Sequence, residues 1–545
     1  MKTSSRIRTL IDGYDVQAEK ERYAFPDIEV AGARLNRGRA VVAITADPED
    51  DVAARARAAH MEHLYTTTHD DAAPVLELGY PIAGHFVQAR HGVYMDLYLG
   101  VAQKLIDENH PSLLAAVDRM SELRLTLRRE IVTDDYILAR EGVDGIVTTG
   151  MLADHLAKMA NEAFPRDGGY DVFFSNSGTE ANEAAIKLAQ RTRWSRLTER
   201  YGATLLGEVM AQLGIAPVPA FGSTGDSGSD APGGEPLYAD YPLFTAACEG
   251  SFHGRTLGSL HLTRSKKVHH TAYSKSRWTI HFPFNGPADS LESRLDPRPL
   301  NEVVAADGGV AGVLDGGQVP AELVALFMVE GFQGEGGYTL ADPTFLQGVR
   351  ETCTKHEILY VADEVQTFGR TGAAWVHQHH GVAPDILTMA KGAWVGCTIA
   401  PAELDRHLDP GWHSNTWGGG KVFDNTVSYH TLKTLTEYED PVFEGRTYLE
   451  NERIKGEYIR ETLASLANTH SAVTDFSGLG CMFGLTVLDR EKVIAGAWKR
   501  GLKLLGAGEP GEESTIRLLF LADVLTHEID QFAETMDAVL SDMES

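Results

Sequence analysis

The chain has 545 residues, of which 43% are hydrophobic and 23% charged, an ordinary globular composition with length for two or three domains. Lys and Arg number 49 against 77 Asp and Glu, so the formal charge is −28; such a field repels nucleic acid and anionic membranes, and any anionic ligand needs cations placed locally. No stretch approaches the ~18 apolar residues of a membrane span.

The start, Met1–Leu10, carries basic residues but runs into Ile11-Asp-Gly-Tyr-Asp15 instead of an apolar segment, which argues against a secretory signal and for a cytoplasmic location. Residues 1–109 alternate short apolar patches with acidic runs such as Asp47–Asp51 and read as an N-terminal arm that contributes to a small domain. Cys248, Cys353, Cys397 and Cys481 are dispersed, without disulfide density or zinc-site spacing, and read as reduced structural thiols.

From about His110 the pattern changes. Asp171–Ser175, Ala325–Val329, Ile358–Ala362 and Asp385–Met389 are short apolar runs separated by helical or polar stretches, which predicts an α/β fold with a mostly parallel, helix-covered sheet. Residues 110–440 are expected to form this large domain, with a flexible insertion over about 195–243 that contains the Gly/Ser/Asp tract Ala220–Glu235. A helix over Val427–Tyr438 ends near Pro441, and 441–545 read as a smaller C-terminal domain.

The first strand runs into Ser175-Asn-Ser-Gly-Thr-Glu-Ala-Asn-Glu-Ala-Ala-Ile-Lys-Leu-Ala189, where Ala181, Ala184, Ala185, Leu188 and Ala189 share one helical face. Gly178 lets backbone approach a ligand, Thr179 offers a hydroxyl, and the free N–H groups of the first turn favour an anion such as phosphate. Alone, this is equally a helix capped by Ser177 or Thr179. Asp363 and Lys391 follow two other strands, at the carboxyl ends where open α/β sheets bind ligands. A carboxylate beside a pyridine nitrogen keeps the ring protonated, and a lysine of lowered pKa adds to an aldehyde. Together they point to pyridoxal-phosphate chemistry; singly each is an ordinary loop charge.

Five segments then carry a resemblance: Ser175–Ala185, Ser251-Phe-His-Gly-Arg-Thr256, Glu330-Gly-Phe-Gln-Gly-Glu-Gly-Gly337, Ala362-Asp-Glu-Val-Gln366 and Thr416-Trp-Gly-Gly419. In this order they resemble the signatures of class III pyridoxal-phosphate-dependent aminotransferases. The resemblance covers about His110 to the C-terminus and implies fold type I: a large domain with a mostly parallel seven-stranded sheet, a smaller α/β C-terminal domain, and a homodimer or dimer of dimers. It implies that Lys391 carries the cofactor as a Schiff base, Asp363 pairs with the pyridine nitrogen, and Ser177, Gly178 and Thr179 surround the phosphate. Phe252 and His253 would lie at the ring, Gln366 at the phenolic oxygen, and Thr416 at the phosphate of the neighbouring subunit. Glu330 would line the catalytic pocket, and Arg255 and Arg517 would hold substrate carboxylates. Glu335 would pair with Arg517 while a side-chain amine is bound and release it for a dicarboxylate; a permanent Glu335–Arg517 salt bridge is the alternative.

The stretch Thr371–Asp385 with His413–Gly419 is similar to the lysine 6-aminotransferase and ornithine aminotransferase branch. The implied reaction moves an amino group from an amino acid or terminal amine to an oxo-acid such as 2-oxoglutarate, in ping-pong fashion. A racemase, decarboxylase or aminomutase on the same fold, and a binding protein without catalysis, are the alternatives. Departures from the family pattern are Gly331 where proline is usual, Leu518-Leu-Phe-Leu521 after Arg517, and the long insertion between Arg193 and Phe244. His377, His379 and His380 read as surface histidines without carboxylate partners and not as a metal site.

Overall fold

The computed structural model describes residues 28–30, 33–35, 80–89, 92–125, 147–217, 238, 240–274, 276–315, 317–408, 411–414, 421–440, 443–508 and 514–544. The tract Ala220–Glu235, Thr416 and the acidic run Asp47–Asp51 lie outside them.

After an isolated antiparallel pair at Ile28–Val30 and Ala33–Leu35 come three short antiparallel strands, β1 (Tyr80–Ala83), β2 (Phe86–Ala89) and β3 (Gly92–Asp96). Helices α1 (Pro111–Glu122) and α2 (Thr149–Ala163) lead to β4 (Tyr170–Ser175) and α3 (Gly178–Gln212). Strands β5 (Phe244–Cys248), β6 (Thr279–Phe282) and β7 (Val324–Val329) follow, then α4 (Pro343–Lys355), β8 (Leu359–Asp363), β9 (Ile386–Met389) and β10 (Gly396–Pro401). These strands make one seven-stranded sheet in the order β4-β10-β9-β8-β7-β5-β6. All neighbours are parallel except at β10, which runs against both β9 and β4. Every residue of β7 and β8 is buried, as expected of central parallel strands covered on both faces. Each Phe, Leu or Val fully buried there contributes about 1.5–3 kcal/mol.

The predicted small-residue face of α3 is the buried one: Ala181, Ala184, Ala185, Leu188 and Ala189 pack on the sheet. Residues 195–212, expected in a flexible insertion, instead continue this helix beyond a break at Gly202 (φ 71°), because Leu197, Leu206, Val209 and Met210 extend the apolar face into the core. The helix expected over Val427–Tyr438 is α5 (Val422–Thr436), which starts five residues earlier because Val422, Asn425 and Thr426 are also buried.

Beyond it, α6 (Tyr448–Thr469), β11 (Val473–Leu479), β12 (Met482–Val487), α7 (Arg490–Lys499), β13 (Leu502–Lys503), β14 (Leu505–Gly506), β15 (Thr515–Leu519) and α8 (Thr526–Glu544) build a second core. Its antiparallel sheet has the order β11-β12-β15-β14, and β13 pairs with β3 so that residues 80–96 join this part of the molecule. A third cluster, including Leu99, Phe332, Tyr338, Val376, Met482 and Leu519, seals the seam between the two.

Candidate active site

At the end of β4 the chain turns through Ser177, whose extended backbone (φ −153°, ψ 162°) caps α3 and whose Oγ accepts from the Glu180 N–H at 3.2 Å. The first-turn N–H groups of Gly178 and Thr179 point out of the positive end of the helix, a ready anion cup. Gly178 is required sterically: a Cβ there would lie 2.5 Å from Val365 Cγ1. The cup is thereby pressed against the loop that follows Asp363.

One turn into α3, Asn182 ties the cup to the sheet. Its Nδ2 donates to Asp363 Oδ2 and to the His253 carbonyl, both at 2.8 Å, and its Oδ1 accepts from Thr388 Oγ1 at 2.7 Å. Asp363 closes β8 and is 3% exposed; its Oδ2 also lies 2.7 Å from His253 Nδ1, and its Oδ1 accepts from the Val365 N–H at 3.0 Å. The carboxylate is therefore fixed in direction before any ligand arrives. His253 Nε2 is buried and has no hydrogen-bond partner among the described residues.

Lys391 follows β9 in a single 3₁₀ turn with φ 51°, and Trp394 three residues on has φ 65°. Two left-handed non-glycine residues in four are strained backbone, of the kind found where a site over-determines the chain. Gly392 between them allows close packing, since a Cβ there would lie 2.3 Å from Leu105 Cγ. The Lys391 amine makes no hydrogen bond among the described residues. Burial pulls its pKa down from 10.5 to about 8; Arg517 and Arg370 add to this, while Glu335 and Glu330 oppose it. Lys391, Asp363, His253, Phe252 and the Ser177–Thr179 cup border one cavity of about 450 Å³.

Glu330, the residue after β7, supports the wall of this site. Its Oε1 accepts from the Phe252 N–H at 2.9 Å and its Oε2 from the Gly334 N–H at 3.0 Å. Burial, reinforced by Asp363 and opposed by His253, pushes its pKa up to about 7. Farther along, Glu335 lies between two cations, with Oε1 2.7 Å from Arg517 Nη1 and Oε2 2.9 Å from Lys266 Nζ. Burial would raise the Glu335 pKa, but Arg517 and Lys266 outweigh it and hold the carboxyl far below its usual range. Arg517, in the middle of β15, is 2% exposed, and its Nε has no hydrogen-bond partner among the described residues. A buried guanidinium with spare donors suits a carboxylate ligand.

Gln366 is buried and donates through Nε2 to the Tyr338 hydroxyl at 3.1 Å. Arg255 is not brought to the cavity: it is exposed, with Nη2 3.0 Å from His269 Nε2 and its guanidinium 5.6 Å from the centre of the Phe252 ring. Thr416 lies outside the described residues.

Sequence reasoning missed Asn182, Lys266 and Tyr338. Asn182 sits within the quoted motif one turn after Gly178, and that helical spacing is the signal that marks it. The histidine expectation is corrected: His377 and His380 are buried, and His377 Nδ1 lies 2.7 Å from Glu364 Oε1 while its Nε2 lies 3.2 Å from the Tyr360 hydroxyl. Only His379 of the three is exposed.

An anion cup, a pre-aimed carboxylate and an amine of lowered pKa at the edges of one cavity fit a phosphorylated aldehyde with a basic ring nitrogen, as pyridoxal phosphate is. Known proteins agree. The profile of the family described as aminotransferase class-III matches residues 83–540. The acetylornithine aminotransferase of Synechocystis sp. is 30% identical over 426 residues, covering 76% of this chain and 78% of that protein. That of Caldanaerobacter subterraneus is 28% identical over 456 residues, covering 83% and 91%. Among solved structures, the lysine aminotransferase from M. tuberculosis superposes with a TM-score of 0.65 at 23% identity, over 90% of this chain and 99% of that one. The ornithine aminotransferase from Toxoplasma gondii gives 0.64 at 18% identity, over 91% and 96%. With a family profile spanning most of its length, the chain belongs to the class III aminotransferases, and is a pyridoxal-phosphate-dependent enzyme that transfers amino groups.

Proposed function

We propose that the amino donor is a basic amino acid or related diamine reacting through its side-chain or terminal amine, and that the acceptor is an oxo-acid such as 2-oxoglutarate. The observation that carries this reading is the Lys266–Glu335–Arg517 array. It gives the substrate end of the site a buried guanidinium that a carboxylate can claim, and a carboxylate that can mask that guanidinium when the substrate brings an amine. The relatives that act on acetylornithine, lysine and ornithine by name support the same class.

When bound, pyridoxal phosphate supplies a protonated ring that accepts the electron pair released at the donor carbon. The residues divide the remaining work. Lys391 Nζ binds the cofactor aldehyde covalently and, once displaced by the donor, takes the proton from the donor carbon; a pKa near 8 suits an amine that must be neutral to do so. Asp363 holds the ring nitrogen proton, and Asn182 and His253 hold Asp363. Ser177, Gly178 and Thr179 take the phosphate, Phe252 and His253 flank the ring, and Gln366 reaches its oxygen. Glu330 shapes the pocket wall, and Arg517 orients a substrate carboxylate. We read the enzyme as a homodimer whose second copy brings Thr416 to the phosphate; the exposed Trp394 at the cavity mouth and the exposed Leu257, Val268 and Tyr273 support a covering partner.

The test separates the half-reactions. Lysine, ornithine, acetylornithine, 4-aminobutyrate and simple diamines are screened as donors, with 2-oxoglutarate and pyruvate as acceptors. In Glu335→Gln the donor half-reaction of the best substrate slows by about ten-fold or more, while the 2-oxoglutarate half-reaction keeps its rate. Equal loss in both would mean a permanent salt bridge and would defeat the reading.

A further inference from the structure

We propose that Lys104 supplies the positive charge that balances the cofactor phosphate, an inference that rests on pyridoxal phosphate occupying the cavity described above. The described residues bordering that cavity include four that carry formal charge at neutral pH: Lys104, Glu108, Asp363 and Lys391; His253 is the other titratable one. Two of the four are carboxylates. Lys391 is the amine whose charge burial already disfavours, and its nitrogen is committed to the aldehyde. The cup itself contributes only backbone N–H groups and the polar side chains of Asn176, Ser177 and Thr179. Without Lys104, a phosphate dianion would enter a cavity already holding Asp363 and Glu108, in a chain of formal charge −28. The anion cup is matched in shape but short of charge.

The position of Lys104 suits the task. Its neighbour Leu105 packs on Gly392, so this segment is pressed against the Lys391 turn. A cavity of about 450 Å³ is roughly 10 Å across, no wider than the screening length at ordinary ionic strength. The Lys104 ammonium now lies 2.8 Å from Glu108, with the two side chains 23% and 33% exposed. A partly exposed pair of this kind is weak, so the flexible lysine can turn from Glu108 to a dianion at little cost. Lys104 is a positioning and binding residue for the phosphate, while Glu108 holds the lysine at the cavity until the phosphate arrives.

Full-length apoprotein is titrated with pyridoxal phosphate and, separately, with pyridoxal, which has the same aldehyde and ring but no phosphate. Capture is read from the visible absorbance of the lysine-bound compound. Lys104→Met weakens pyridoxal phosphate about ten-fold, leaves pyridoxal within about two-fold, and flattens the salt dependence of phosphate-ester binding; Lys104→Arg restores the affinity for pyridoxal phosphate and its salt dependence. Unchanged affinity for pyridoxal phosphate in Lys104→Met, or equal loss of both compounds, overturns the proposal. A wild-type chain that captures neither compound would overturn the cofactor reading itself, a result distinguishable from either.

Discussion

Both ends of the large sheet carry charged side chains around a cavity and treat them oppositely. At the amino-terminal end of β8 and β9 a cavity of about 630 Å³, larger than the one at the carboxyl end, is bordered by five arginines: Arg166, Arg196, Arg200, Arg350 and Arg406. Three of them are spent on carboxylates. Arg166 and Arg350 share Asp385 at 3.0 and 2.7 Å, and Arg200 reaches Glu322 and Glu357. At the carboxyl end, among the described residues, His253 Nε2 and Arg517 Nε are buried without hydrogen-bond partners. Buried polar groups cost free energy unless satisfied, so the end that leaves them open is the end built for a ligand. Cavity size alone would have chosen the wrong end.

The strongest way to break this comparison is to remove the central amine. Lys391→Ala loses at least about a thousand-fold in turnover, because both covalent capture and proton transfer rest on one side chain. A single-turnover assay with a saturating donor measures it. Turnover within ten-fold of wild type would show that the carboxyl end is not the reactive one.

Much of this end was legible in the sequence, for a physical reason. Buried parallel strands are continuous apolar runs, so β4, β7, β8 and β9 were readable to within a residue or so at each end, and Asp363 and Lys391 fell at strand ends where ligands bind. The turn Ser177–Thr179 needs only neighbours in sequence. By contrast β10 begins with Gly396 and ends with Pro401, residues that disfavour a strand reading, and was passed over; its antiparallel direction depends on the turn at Lys391. Asn182 meets Asp363 across 181 residues and Lys266 meets Glu335 across 69, contacts that only the folded sheet creates. His377 looked like a surface residue because its partner Glu364 follows a strand thirteen residues earlier, and nothing local shows that both face inward.

The comparison is sharpened by pH. The Lys391 pKa lies below its ordinary value, so the neutral amine grows in as pH passes about 8 and not 10.5. In the apoprotein, acylation of Lys391 by an uncharged amine-directed reagent, followed by peptide mass spectrometry, reaches half its maximal rate near pH 8, while exposed lysines require about two units more. A Lys391 midpoint near 10.5 would mean that burial leaves the amine unprimed.

The smallest effect is expected at the opposite end. Arg350 Nη1 lies 2.7 Å from Asp385, its guanidinium stands 5.5 Å from the centre of the Tyr360 ring, and its side chain is 20% exposed. In Arg350→Met, Asp385 keeps Arg166 and the Tyr360 N–H, so no carboxylate is stranded. The loss is that of a partly exposed ion pair and a ring contact, about 1 kcal/mol, which in a chain of this size lowers Tm by about 2 °C or less. Because Tyr360 lies on β8, three residues before Asp363, the variant also asks whether one end of the strand feels the other. The side-chain network that fixes Asp363 comes from Asn182 and His253, both at the carboxyl end, so kcat should stay within about two-fold of wild type. A fall in kcat of ten-fold or more, with Tm unchanged, would show that the paired arginines tune the catalytic end through β8 and are not merely structural.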